Sequence, residues 1–398
     1  GRLMAAGLLE LGQVFLVCAV AGAVALRIGL SVIPLYVVSG MLAGPFVAGR
    51  LGLPTVPESD LLTVLAEVGI VLLLFFLGLE FSLDRLLASR SRITRAGAVD
   101  LAVNLPLGVV IGVALGWSAV EALLFGGIVY ISSSAIITKT LIDLGWIADA
   151  EAEPILGTLV FEDLFIAVYL AVVTSLVLGG DVGEVGRSLA IAFGFLGALL
   201  VAVQYGTDLF ARLLDVSDPE PFVLRALGVV VPIAGIALSI GVSEAVAAFF
   251  VGMGFANSGH RDRLERLLAP VRDVFAAVFF VWIGVGTDPR LVVGVALPLA
   301  AAVVVTTPAK LASGYVGGRI YDLSTRRSLR VGVGLVPRGE FSLVIAALAA
   351  GGSTTVLRET IPALAVGYVL VMGTLGTVLM QRSDGVERVL RRVVPVGG

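Results

Sequence analysis

Glu162 and Asp163 sit side by side within the apolar run Leu159-Val160-Phe161-Glu162-Asp163-Leu164-Phe165. A charge at the centre of a membrane-spanning helix costs about 2.5–3.5 kcal/mol on an insertion scale, and such residues face a bundle interior, where they serve a pathway, a relay or a buried pair. Two things bind well to a buried carboxylate: a proton and a hard cation. Successive helical positions point about 100° apart, so these two carboxylates cannot fully share one face. One is expected to meet a cation and the other a protein group.

Lys310, in Thr307-Pro308-Ala309-Lys310, is the natural protein partner, because it and Lys139 are the only lysines and it lies inside an apolar run. Burial disfavours the charged form of a lysine and of a carboxylate, whereas pairing favours both, so such a pair can trade protons near neutral pH. A static ion pair, or a lysine reaching toward an interface, stays open. Ser132, Ser133 and Ser134 offer hydroxyl and backbone oxygens suited to a hard alkali cation. Serine runs also occur where helices approach closely.

Arg338 and Glu340 can neutralise each other or balance helix ends, each worth about half an elementary charge, and a structural role is expected for both. Glu67, Asp100, Glu121, Asp208, Arg225 and Glu244 also lie at or near apolar runs, where position alone does not separate pathway from packing. His260, the only histidine, falls in an Arg-rich loop and reads as solvated. With Cys18 the only cysteine, no disulfide framework and no Cys/His metal cluster can form. No Ser, His and carboxylate stand at a nucleophile spacing, so neither an enzyme nor a cofactor is expected.

The elements that position these groups are membrane helices. The chain has 398 residues, 58% hydrophobic and 14% charged, with a mean hydropathy of +1.05. Soluble domains average about 25% charged residues. The net charge of -3 implies no nucleic-acid partner. The chain opens on Gly1-Arg2, which reads as a trimmed start, and no cleavable signal peptide is visible. Roughly thirteen apolar runs are long enough to span a membrane, at about 20 residues each, which predicts about thirteen transmembrane helices. They lie near Leu8–Leu26, Ser31–Ala48, Leu61–Leu79, Thr94–Leu115, Ala119–Ile142, Pro154–Leu178, Val185–Leu213, Pro221–Ile240, Val242–Ala256, Pro270–Val285, Leu291–Gly317, Leu329–Ala350 and Pro362–Met380. Ile240-Gly241-Val242 reads as either a kink or a turn.

Alternate loops collect arginines: Arg85, Arg90, Arg92 and Arg95; Arg261, Arg263 and Arg266; Arg319, Arg326 and Arg327; Arg382, Arg388, Arg391 and Arg392. Cytoplasmic loops are enriched this way, which predicts an outside N-terminus and a cytoplasmic C-terminus. With 185–213 as a linker, the first six and last six runs form an inverted repeat within a transporter domain over 1–381, followed by a short tail at 382–398. The fifth and twelfth runs then correspond, and both are interrupted, at Gly126-Gly127 through Ser134 and at Gly332 through Ser342. Matching interruptions in two halves point to a binding site.

Several stretches, in order along essentially the whole chain, resemble the cation:proton antiporter-2 family. They are Ile131-Ser132-Ser133-Ser134-Ala135-Ile136, Phe161-Glu162-Asp163, Phe279-Phe280-Val281-Trp282-Ile283-Gly284, Lys310 and Pro337-Arg338-Gly339-Glu340-Phe341. The resemblance implies an all-α, polytopic sodium/proton antiporter-like fold with two crossed discontinuous helices. It also implies a homodimer in a plasma membrane, whose mobile core moves against a dimerisation scaffold. Asp163 matches the aspartate that holds either a proton or a monovalent cation. The preceding position is Asp in electrogenic sodium members and Gln in glutathione-gated potassium members; here it is Glu162. The stretch Lys139-Thr140-Leu141-Ile142-Asp143-Leu144-Gly145 together with Phe161-Glu162-Asp163-Leu164 looks most like members served by a separate soluble regulatory subunit, which favours K+ slightly over Na+. Potassium relatives often continue into a nucleotide-binding domain, whereas this chain ends soon after Arg391-Arg392.

Two other functions fit a polar membrane interior. A cation channel would need a filter-like repeat, and none is visible. A sodium-coupled organic-anion symporter can use the same architecture, but adjacent Glu162 and Asp163 repel a bound anion.

Overall fold

The computed structural model describes residues 2–28, 32–80, 88–178, 182–242, 244–383 and 385. Arg85, Arg388, Arg391 and Arg392 lie outside them, as does nearly all of the expected tail. Among the described residues there is no strand. In chain order the helices are α1 (Arg2–Ile28), α2 (Val32–Ala43), α3 (Asp60–Glu80), α4 (Arg90–Ala114), α5 (Ala119–Tyr130), α6 (Ser134–Asp143), α7 (Ala152–Leu178), α8 (Val182–Tyr205) and α9 (Thr207–Leu213). There follow α10 (Pro219–Ser239), α11 (Glu244–Ala256), α12 (Arg261–Val285), α13 (Pro289–Gly294), α14 (Ala296–Ile320), α15 (Thr325–Gly334), α16 (Glu340–Ala350) and α17 (Ile361–Gln381).

Every expected apolar run is helical, and several are divided. The run at 185–213 is two helices, α8 and α9, bent by 78°. Ile240-Gly241-Val242 is a turn: Gly241 takes φ +77, and Val242 N donates to Ala237 O at 2.8 Å while Gly241 N donates to Leu238 O at 3.1 Å. That is the Schellman ending, which needs a left-handed residue. Among the described residues seven helices are long and apolar enough to cross a membrane, or eight with the bent pair counted as one span. Helices α2 and α11, of 12 and 13 residues, are apolar but shorter than a full crossing requires.

Two compact units emerge, each made from two separated stretches of chain. The first joins 1–87 to 186–288. In it α3 packs along α11 and α12, and α2 packs on α1 and α12. Side chains of α3 and α11 must be small where the two cross, because a Cβ on Gly78 would lie 2.0 Å from the Phe249 carbonyl oxygen. Close backbone approach of this kind is how helices associate without a hydrophobic driving force.

The second unit joins 88–185 to 289–398 and holds Glu162, Asp163 and Lys310. Helix α4 packs on α5, α7 and α14, and α14 packs on α15. Both α4 and α14 are unbroken across Pro106 and Pro308. The outer surfaces of both units are apolar, with Leu8, Leu26 and Leu297 exposed.

Candidate functional site

The fifth and twelfth runs are each two half-helices separated by extended chain, α5 from α6 at Ile131–Ser133 and α15 from α16 at Leu335–Gly339. Serine side chains compete for backbone hydrogen bonds, and Pro337 disfavours helical geometry at Val336. The two breaks lie against each other: Ser133 N donates to Pro337 O at 2.9 Å. A Cβ on Gly339 would lie 2.3 Å from Ser133 Oγ, so only glycine fits.

Breaking two helices exposes carbonyls at two C-terminal ends. Arg338, fully buried, answers both: its Nε donates to Val129 O at 2.9 Å, and its Nη1 donates to Leu335 O and Val336 O at 2.8 and 2.7 Å. Two ends of about half a negative charge each match one guanidinium. Glu340 opens α16, and its side chain lies outside the described residues. Further out, Thr354 Oγ1 donates to Glu121 Oε1 at 2.6 Å, tying the start of α5 to the chain after α16. Arg330 Nη1, on α15, lies 3.5 Å from buried Glu151 Oε1, in the chain between α6 and α7.

Glu162 and Asp163, both buried on α7, meet different groups. Glu162 Oε2 accepts from Ser132 N at 2.6 Å, and Oε1 accepts from Ser132 Oγ at 2.9 Å and Lys310 Nζ at 2.7 Å. Asp163 faces Ser134 Oγ, 3.3 and 3.4 Å from its two carboxylate oxygens, at the first residue of α6. A helix N-terminus favours an anion there. Ser133 caps α6, its Oγ accepting from Ile136 N at 3.1 Å. Of the three serines, Ser134 therefore faces Asp163, Ser132 serves Glu162 and Ser133 holds the half-helix.

Lys310 is fully buried, and besides Glu162 its Nζ donates to Asp100 Oδ2 at 2.6 Å and to Tyr130 O at 3.1 Å. An ammonium has three protons, and all three are used. Asp100, on α4, had no distinguishing signal in the sequence, being one of several acidic residues near an apolar run. A contact between residues 210 positions apart depends on how α4 packs against α14. Chemically, the site joins one ammonium to two buried carboxylates and sets a third carboxylate beside a hydroxyl at a broken helix.

The family described as "Sodium/hydrogen exchanger, transmembrane" matches residues 14–381. Among curated proteins, the chain is 37% identical to "K(+)/H(+) antiporter subunit KhtU" of Bacillus subtilis, over 96% of this chain and 95% of that one. It is 31% identical to "Ammonium/H(+) antiporter subunit AmhT" of Alkalihalophilus pseudofirmus, over 94% of this chain and 92% of that one. Among solved structures it is similar to the sodium proton antiporter MjNhaP1 from Methanocaldococcus jannaschii, with a TM-score of 0.72 at 15% identity, covering 96% of this chain and 98% of that one.

Proposed function

This chain belongs to the sodium/hydrogen exchanger family of transmembrane proteins, a family of transporters, and on that basis we propose that it exchanges a monovalent cation for protons at Asp163. The observation that carries the reading is the unequal treatment of two adjacent buried carboxylates. Glu162 is bound to Lys310 and Ser132, while Asp163 faces the Ser134 hydroxyl at the start of a half-helix. Oxygen ligands suit an alkali cation, and a carboxylate that holds either that cation or a proton couples the two fluxes.

K+ is favoured slightly over Na+, supported by the relative named as a K(+)/H(+) antiporter subunit. The relative named for ammonium adds a second monovalent cation of similar size. Both names contain the word "subunit", which supports a separate soluble partner. We place the protein in a plasma membrane as a homodimer, with an outside N-terminus, a cytoplasmic C-terminus and an inverted repeat around a linker at 185–213. Arg338 and Glu340 serve the helix ends, and Lys310 balances buried charge.

The test is proton flux in proteoliposomes under an imposed pH gradient, with K+, Na+ or NH4+ added, for wild type and Asp163→Asn. One cation is expected to collapse the gradient in wild type alone. Its apparent KM should rise as pH falls, because protons then compete for the same carboxylate. Flux by folded Asp163→Asn equal to wild type would remove Asp163 from the mechanism, and substrate-stimulated sodium uptake or single-channel currents would replace the antiport reading.

A further inference from the structure

Lys310 donates to two carboxylates at nearly the same distance, Asp100 at 2.6 Å and Glu162 at 2.7 Å. Asp100, Glu162 and Lys310 are all at most 1% exposed. One ammonium therefore faces two negative groups, and with all three ionised the cluster carries a net negative charge. An unbalanced charge away from water costs several kcal/mol, so a protein that keeps one gains something by it.

The two carboxylates differ in what else holds them. Asp100 Oδ1 accepts from Ser313 Oγ at 2.7 Å and from Asn104 Nδ2 at 3.0 Å. Asn104 Nδ2 also reaches Ser313 Oγ at 3.0 Å. Asp100 and Asn104 are four residues apart on α4, Lys310 and Ser313 three apart on α14, so each pair shares a helix face. These four residues close a ring between two unbroken helices. Glu162, by contrast, is held by Ser132 within the extended break.

The Asn104 nitrogen also donates to the Asp100 carbonyl oxygen at 2.9 Å, so both the backbone and the side chain of Asp100 are tied to it.

From this geometry we infer that Asp100 is a positioning residue of the exchange. As the standing counter-ion of Lys310 it leaves the charge of Glu162 unbalanced, and that charge sets how strongly the neighbouring site at Asp163 draws a monovalent cation. The inference rests on exchange at Asp163 and extends it to a residue on another helix. A unit charge about 10 Å away at an effective dielectric near 20 changes affinity by on the order of tenfold.

The experiment measures flux against cation concentration, together with melting temperature in detergent. Asp100→Asn is expected to raise the apparent KM by about tenfold, more than it lowers the maximal rate. Asp100→Glu restores the charge and should return KM toward wild type. An unchanged KM in Asp100→Asn overturns the inference, as does an equal loss of rate and melting temperature in both variants. A second arm needs no transport and so decides the pairing even if wild type exchanges no cation, the outcome that would sink the antiport reading instead. Lys310→Gln strands two carboxylates, and adding Asp100→Asn to it should recover expression and melting temperature. No recovery would show that Asp100 is not the counter-ion of Lys310.

Discussion

Each proton of Lys310 has an acceptor, on Asp100, Glu162 and Tyr130, so substitutions around this lysine should rank by how much charge they strand. Removing the ammonium leaves two buried carboxylates uncompensated, and breaking a buried ion pair from one side costs about 3–5 kcal/mol. Lys310→Gln should lower the melting temperature most. Glu162→Gln leaves Lys310 paired with Asp100 but sets an amide nitrogen against either the Ser132 N–H or the Lys310 ammonium, and an unsatisfied buried donor costs about 1–3 kcal/mol. Thermal melts of the two purified variants check the order, and a reversed ranking would mean that Asp100 holds Lys310 only weakly. Lys310 was legible in the sequence because a lysine inside an apolar run needs a reason to be there. Asp100 was not, since it is one of several acidic residues at or near apolar runs and only packing shows that this one faces inward. Residue type marks Ser132 as a cation ligand, and its bond to Glu162, which only packing reveals, was not legible beside that.

At the level of elements, the sequence marked both breaks, because glycine, proline and serine interrupt otherwise uniform apolar runs. The division of the long run at 185–213 was less visible, for no proline or serine cluster stands at Gly206, where α8 and α9 bend apart. The contact between the two breaks leaves little tolerance. Gly339→Ala would push a Cβ to within 2.3 Å of Ser133 Oγ, and overpacking of this kind costs about 1–3 kcal/mol. Loss of stability and of flux are both expected, measured beside Gly194→Ala on α8, where a Cβ meets nothing within 4 Å and replacing glycine in a helix gains up to about 1 kcal/mol. Equal melting temperatures for the two variants would mean that the breaks can separate. The pairs Glu121–Thr354 and Glu151–Arg330 join each broken element to the chain that follows the other.

On the scale of the whole molecule, apolar composition and loop arginines gave the membrane character and helical class, but not the assembly of each unit from two distant stretches of chain. That assembly has a consequence in time. Lys310 follows Asp100 by 210 residues and Glu162 by 148. At about 5–20 residues per second of synthesis, Glu162 is made roughly 7–30 seconds and Asp100 roughly 10–40 seconds before their ammonium. A nascent chain stopped after residue 300 carries the two acids without the base, and one extended past residue 350 carries all three. Pulse-chase in cells should show the shorter chain degraded several-fold faster, and Asp100→Asn should slow that decay; equal half-lives would mean the acids find other partners while they wait. Until the ribosome passes Lys310, the growing protein is a membrane insertion intermediate with a charge debt, and its quality control depends on when the late helix arrives.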